Sequence, residues 1–595
     1  MKNRKTTLAK ALVNRRQFLK TATSAYGGMA ISPRADTPVA ASLAQESGSA
    51  EAIYLADFER CQPKSALSRK PMRNRWRLLD CETDRSRGWH AISIGLRSLY
   101  GDSQLLVRLK TDSTFSVLSH RVDPAVRNRV DDLFWKAADL TGEQIVLRQF
   151  CTQTVPDNPE SVGNSCSSAW VAYIKLVPLS EEEARALAAD RNRKDTRRLF
   201  AHNDAWSDHT RFRPVSEADI RHRIEPYRNT DFSRLYWEAS QGDRCDYFTK
   251  IGLMPSDDWI QDPHRVGDRL AAESWRILRR KGIDPFRVAL EHTHKIGLEF
   301  HASVRMAGFH FPTPEDEWNT GGVYDKHPEW RGRDREGSTT PRLSYAYPGF
   351  RQFVLSLLRE IAGYPIDGVC LLYNRRPPVV EYEPPVVDAF KAKYGKDPRQ
   401  LDPRDPQWLA HRATVLTQFM SEVRAAMNEV AREQKRKRIE ISAIVMSSEQ
   451  ENLFYGLDLP TWIKDGSVDM IIPYSSVPGL NSAVDSFDDP RAADFFLRIT
   501  RGTSCKAAFN IMPRQLSAET YRTRAHRLYE AGAEHLFFWD CNGRHDYSPA
   551  WSALRRLGHR EEIAVWVRAG APQLARPGSN LRRLGDWDLS YVTPG

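Results

Sequence analysis

No run among the 595 residues is apolar for long enough to cross a bilayer, so an integral membrane segment is not expected. The eight cysteines include no CxxC pair and no Cys/His spacing of a structural zinc site. Charge of one sign is scarce once the N-terminus is set aside. Residues 1–41 hold eight Lys or Arg against one Asp, a net of +7, so only +4 of the chain's +11 belongs to the rest. That is too weak a bias for a nucleic-acid partner. A glycine-rich phosphate turn is also missing: the exit of the first βα unit reads AHNDAWSD, which disfavours an open doubly wound nucleotide-binding sheet. No cofactor is expected.

With 41% hydrophobic and 27% charged residues, the composition is that of an ordinary globular protein. Its length exceeds what one core supports and calls for two domains plus tails. The basic segment 1–41 has an order of its own. NRRQFLK (Asn14 to Lys20) resembles a twin-arginine export signal; the mildly apolar TATSAYGGMAI and the Ala-rich PVAASLA follow it. Export to the periplasm or the outside is therefore expected. In an oxidising compartment Cys61, Cys81, Cys151 and Cys166 are candidates for disulfides, their pairing left open.

Residues 52–180 read as short alternating strands between Gly, Asp and Asn turns, among them GWHAISIGL, SQLLVRLKT and AWVAYIKLVPL, which predicts an accessory β-sandwich. Trp89 and Trp135 are either glycan platforms or core there. Residues 181–196 read as a charged helical linker. From 197 to 570 eight short apolar runs alternate with amphipathic segments: RRLFAHND, SRLYWEAS, LEFHASVRM, DGVCLLYN, IEISAIVMS, VDMIIPYSS, CKAAFNIMP and EHLFFWDCNG. The helical candidates between them include DPFRVALEHTHKIG, YPGFRQFVLSLLREIAGY and SAETYRTRAHRLYEAG. The fold class is α/β, a (β/α)8 barrel preceded by a sandwich, with residues 571–595 as a tail.

In such a barrel the site forms where the strands end. Reading each exit gives Asn203, Asp204 and Trp206; Trp237 and Glu238; His301 and Arg305; Tyr373, Asn374 and Arg375; Ser448 and Glu449; Tyr474; Asn510; and Trp539 with Asp540. Aromatic rings, amides, arginines and carboxylates together suit a polyhydroxylated substrate: sugar C–H faces on rings, hydroxyls on amides and guanidinium groups, carboxyl groups to cleave an acetal. The catalytic candidates are Asp540, Glu238 and Glu449, with Glu383 in reserve. The binding candidates are Trp206, Trp237, His301, Arg305, Tyr373, Asn374, Arg375, Tyr474, Asn510 and Trp539.

GLEFHASVRM, RLSYAYPGFRQFVLSLLREI and DGVCLLYNRRPP together resemble a bacterial family of secreted TIM barrels, glycosyl hydrolase-like family 10. That family has a His-containing third strand, a helix opening after a Pro and a fourth strand of the form DGIHLDYxRxP. Asp367, Gly368, Leu371, Tyr373, Arg375 and Pro377 fit that form. Leu372 stands where the family has Asp, so the family's acid does not carry over. The resemblance implies hydrolysis of a glycosidic bond in a polysaccharide or glycoconjugate.

Two rival readings have their own marks. A metal-dependent hydrolase would draw on His202, Asp204 and His209, but no pair of later strands ends in histidine, so no metal is expected. His292 and His294 occupy different faces of one helix and read as surface residues. A barrel lacking the strand-four acid also fits a protein that holds glycan without cutting it. Bland roles compete residue by residue: Arg375 with a loop carboxylate such as Glu381 or Glu383, His301 as a core histidine, Glu449 or Glu451 at a helix N-terminus.

Overall fold

The structure, a computed structural model, describes residues 53–55, 78–82, 87–97, 102–112, 114–121, 130–149, 169–193, 195–255, 266–311, 319–474, 491–511, 518–539, 541, 551–560, 563–564 and 582–584. The export segment, Cys61, Cys151, Cys166 and Asp540 lie outside the described residues. All described residues belong to one compact unit, Ala50–Gly595.

Eight parallel strands carry the larger core: β1 (Leu199–Asn203), β2 (Phe232–Gln241), β3 (Glu299–Arg305), β4 (Gly368–Leu372), β5 (Glu440–Val445), β6 (Met470–Pro473), β7 (Lys506–Asn510) and β8 (His535–Phe538). Each pairs with the next in sequence, and β8 pairs back onto β1 through Leu536↔Leu199 and Phe537↔Phe200, which closes the ring. These are the eight runs read from the sequence. They are apolar on both faces because one face lines the barrel and the other meets helices. Phe200, Tyr236, Cys370, Leu372, Ile444 and Ile472 belong to the inner cluster; Ala201, Trp237, Leu371 and Tyr373 belong to the outer one. The predicted helices form at Pro285–Lys295, Pro348–Ala362 and Ala518–Glu530. The first is capped by Asp284, whose carboxylate accepts from the N–H groups of Phe286 and Arg287. A 28-residue helix, Pro406–Glu433, meets the outer face just past β4, where its Met420 accepts from the Tyr373 hydroxyl, and was not singled out from sequence.

One glycine sets the spacing of β3 and β4. A Cβ on Gly368 would collide with the His301 ring and stand 2.8 Å from the Glu440 carbonyl. The His301 imidazole occupies the room that any other side chain would need.

Ahead of the barrel lie two antiparallel sheets. One runs Ile53–Leu55, Ala169–Pro178, Trp89–Arg97, Val130–Asp139; the other runs Leu78–Glu82, Gln144–Gln149, Asp102–Leu109, Ser116–Arg121. Ile92 and Ile94 of the first and Leu105, Val107 and Ile145 of the second join one buried cluster. Trp135 is part of that cluster, whereas Trp89 is 38% exposed. Within the segment read as a tail, Arg582–Leu584 adds a strand against Ala169–Val171. The first sheet is thus completed from both ends of the chain.

Candidate active site

Strand β2 slips in register against β3: Glu238 faces Ser303, yet Ser240 already faces Val304. Positions three apart on a regular strand lie on opposite faces; the extra residue, Ala239, returns them to the same one. Glu238 and Gln241 therefore both reach Arg305 at the end of β3. Arg305 Nε lies 2.9 Å from the Glu238 carboxyl, and its Nη1 donates to Gln241 Oε1 at 3.2 Å. Gly242 follows with φ +65°, where a Cβ would strike the backbone of Gly308, so the exits of β2 and β3 touch.

Glu238 is fully buried. Burial pushes its carboxyl up to about 8; Arg305 and Arg375 oppose the rise and Asp204 adds to it. Near neutral pH the group keeps its proton, the state a general acid needs. Asp204 is held by Ser207, whose N–H and hydroxyl donate to its two oxygens at 2.9 and 2.6 Å. Asp246, which sequence reasoning passed over, is buried nearby and also raised, by burial first and then by the charges of Glu238 and Asp204. Trp275 Nε1 donates to it at 3.2 Å. Its signal in the sequence was an acid between Cys245 and Tyr247, two residues that pack fully in the core.

Across the ring, Trp539 follows β8. Its indole is enclosed, lying 4.1 Å from the His202 ring at 10°, with the Tyr474 ring edge-on at 5.1 Å and the Arg375 guanidinium at 4.9 Å. The sugar platform expected of Trp539 is thus filled by protein groups. β4 and β8 are opposite members of the ring, so Arg375 reaches over the mouth to the Trp539 ring. Asn510 Oδ1 accepts the backbone N–H of Trp539 at 3.1 Å.

Several expected binding residues face elsewhere. Tyr373 lies in the outer core, its hydroxyl donating to Met420 Sδ at 3.3 Å and its ring 5.6 Å from Trp462. Trp237 is likewise outside, 6.4 Å from Phe300. Both are one position out of phase with an inward residue, Leu372 and Glu238. His301 does face inward, but from low on β3, 5.1 Å from Tyr236 and 3.7 Å from Glu299, below the strand exits. Burial and then Arg234 hold it below the usual histidine range. Trp206 is turned to Asp268, to which its Nε1 donates at 3.1 Å.

Among the other carboxylates, Glu449 sits in the first turn of the helix Glu449–Phe454, about half exposed and 3.9 Å from Arg498. That position suits a carboxylate at a helix N-terminus. Glu383 precedes the helix Pro384–Tyr394 and is buried; it accepts the Glu381 N–H at 2.8 Å, and burial raises it to about 7. The residues of the metal reading are engaged separately: His202 with Trp539, Asp204 with Ser207, and His209 with Ser274 Oγ at 3.1 Å. Among the described residues no group of three or more His, Cys, Asp or Glu is placed to hold a metal ion. His292, expected at the surface, is buried against Glu225 at 2.8 Å. Among the described residues no helix is long and apolar enough to cross a membrane.

No curated protein matches the chain. Similar solved structures include the glycoside hydrolase domain of PgaB (BpsB) from Bordetella bronchiseptica, 15% identical over 60% of this chain and 97% of that one, with a TM-score of 0.42. The catalytic domain of the β-amylase from Paenibacillus polymyxa is 12% identical over 62% and 98%, with a TM-score of 0.40. The glycoside hydrolase domain of PelA from Pseudomonas aeruginosa is 12% identical over 60% and 96%, with a TM-score of 0.28. Residues 261–491, from ahead of β3 to beyond β6, match the model of the family Glycosyl hydrolase-like 10, the family that the third and fourth strands resemble.

Proposed function

We propose that this protein is an exported carbohydrate-processing hydrolase that cleaves a glycosidic bond with Glu238 as the proton donor. One observation carries the reading: a carboxyl group wholly buried at a strand exit is held by an arginine at 2.9 Å, and its burial favours the protonated form. Protonation of a leaving oxygen requires that state, and a second carboxyl group acts on the sugar or on water. In this reading the second group is Asp204, whose charge already acts on Glu238, or Asp540, which follows Trp539 in the chain. Arg305 positions the acid, and Arg375 stands over the entrance. The order of signals in residues 1–41 supports export, and the two antiparallel sheets serve as an accessory sandwich.

Screening the purified protein against a broad glycan panel identifies the substrate. On that substrate Glu238→Gln should lower turnover by roughly 10²–10⁴-fold with the fold retained. Turnover within a few-fold of the parent overturns the assignment. Asp204→Asn and Asp540→Asn then decide which carboxyl is the partner. The binding-only reading draws on Leu372, which packs inward where the resembled family has its acid. It gains if no panel member is cleaved and one is bound.

A further inference from the structure

Asn374 poses an accounting problem. It follows β4, where Leu372 packs inward and Tyr373 outward, and because the Tyr373 N–H still pairs with the Ile444 carbonyl, strand alternation puts Asn374 on the inner side. It is only 2% exposed, and neither Oδ1 nor Nδ2 has a hydrogen-bond partner among the described residues. A buried primary amide left in this state is costly, so an absent partner is the first explanation to test. Asn510, at the exit of β7, has its Oδ1 fixed on the backbone N–H of Trp539, while its Nδ2 lacks a partner among the described residues.

The chemistry of the missing partner follows from what an amide presents. Oδ1 accepts and Nδ2 donates, two to three ångströms apart on one rigid plane. An anionic group satisfies Nδ2 and repels Oδ1; an ammonium group does the reverse. Two adjacent hydroxyls of a sugar ring satisfy both, since each hydroxyl donates and accepts.

We infer that Asn374 is a specificity-determining residue, reading a pair of adjacent ring hydroxyls on an uncharged sugar held in the barrel mouth. This rests on the glycoside-hydrolase reading for the place of the sugar, and not on its chemistry. No described residue bonds to the amide, so a sugar at this place would supply both of its partners. Replacement by leucine, close in shape and without polar atoms, should therefore separate stability from binding.

The test uses the full chain and three uncharged probes, cellotriose, mannotriose and N-acetylated chitotriose, titrated by calorimetry against the parent and Asn374→Leu. The expected result is a melting temperature equal to or above the parent's, with affinity for at least one probe weakened tenfold or more. Asn374→Gln should recover part of the loss. A fall of several degrees in melting temperature overturns the proposal, because it shows an amide already satisfied in the free protein. So does an unchanged affinity, or no binding of any probe by the parent. Turnover is followed in parallel. Asn374-dependent binding without cleavage keeps this inference and sinks the hydrolase, whereas cleavage indifferent to Asn374 does the opposite.

Discussion

Each end of the barrel sets an arginine against glutamate, and the two pairs behave oppositely. At the lower end Arg234 lies 2.7 Å from Glu299 and 2.9 Å from Glu440, donates to the Tyr236 hydroxyl at 3.2 Å and rests 4.9 Å from the Phe200 ring. Burial, the largest single influence on Glu299, raises its carboxyl. His301 and Arg234 together outweigh that and hold it at about 2. At the upper end burial again leads, but Arg305 and Arg375 do not overcome it, and Glu238 is held at about 8. The same functional groups make a sealed plug where two half-exposed carboxylates share one cation, and a proton store where a carboxyl is wholly withdrawn from water. In a barrel of this kind the lower face carries stability and the upper face chemistry, and the difference here lies in solvation.

The contrast is broken most severely at the lower end. Arg234→Ala strands Glu299 and Glu440 beside each other and beside His301. A loss of about 2–3 kcal/mol is expected in chemical denaturation, at the low end for such pairs because both carboxylates reach solvent. A loss under 0.5 kcal/mol would show that the plug contributes nothing.

The pH dependence sharpens the comparison, because the two shifts have opposite signs. The folded state holds Glu299 below its unfolded value, so its contribution is full above about pH 4.5 and is lost as the pH falls towards 2. The folded state holds Glu238 above its unfolded value, so its contribution is full below about 4.5 and is lost as the pH rises towards 8. Glu238→Gln, which cannot ionise, should flatten the decline in melting temperature between pH 5 and 8 and leave the acid side unchanged. In the parent enzyme the rate should fall through an apparent pKa near 8 as the acid is lost. A rate that climbs through that range would assign Glu238 to the role of base.

The smallest expected effect concerns phase along β4. Tyr373→Phe removes only a hydroxyl contact to Met420 in the outer core, so it should cost under about 1 kcal/mol and leave KM and kcat unchanged. A tenfold rise in KM would place Tyr373 in the mouth after all.

Much of this barrel is legible in the sequence, for a physical reason. Parallel strands covered on both faces must be short apolar runs, and a carboxylate that ends such a run, as Glu238 ends LYWE, has few places to go but the mouth. The same double burial hides the phase. When both faces are apolar nothing in DGVCLLYN says which of Leu372 and Tyr373 turns inward, and WE in β2 poses the same question; in the fold Tyr373 and Trp237 lie in the outer core. The slip at Ala239 leaves no mark in composition. Asp246 and the enclosure of Trp539 depend on side chains brought together from distant segments, which no single stretch of sequence displays.

The strand Arg582–Leu584 has a consequence for the order in which the molecule can be finished. Ala169–Val171 pairs with it, while Leu55 to Ile53 takes the neighbouring stretch from Ile174 to Leu176. While the polypeptide is being made, that stretch of edge is open and able to pair with another chain. It is covered only when residues 582–584, which come after every barrel strand in the sequence, leave the ribosome. A chain cut short between β8 and residue 582 would therefore carry every barrel strand beside a sheet still short of its edge.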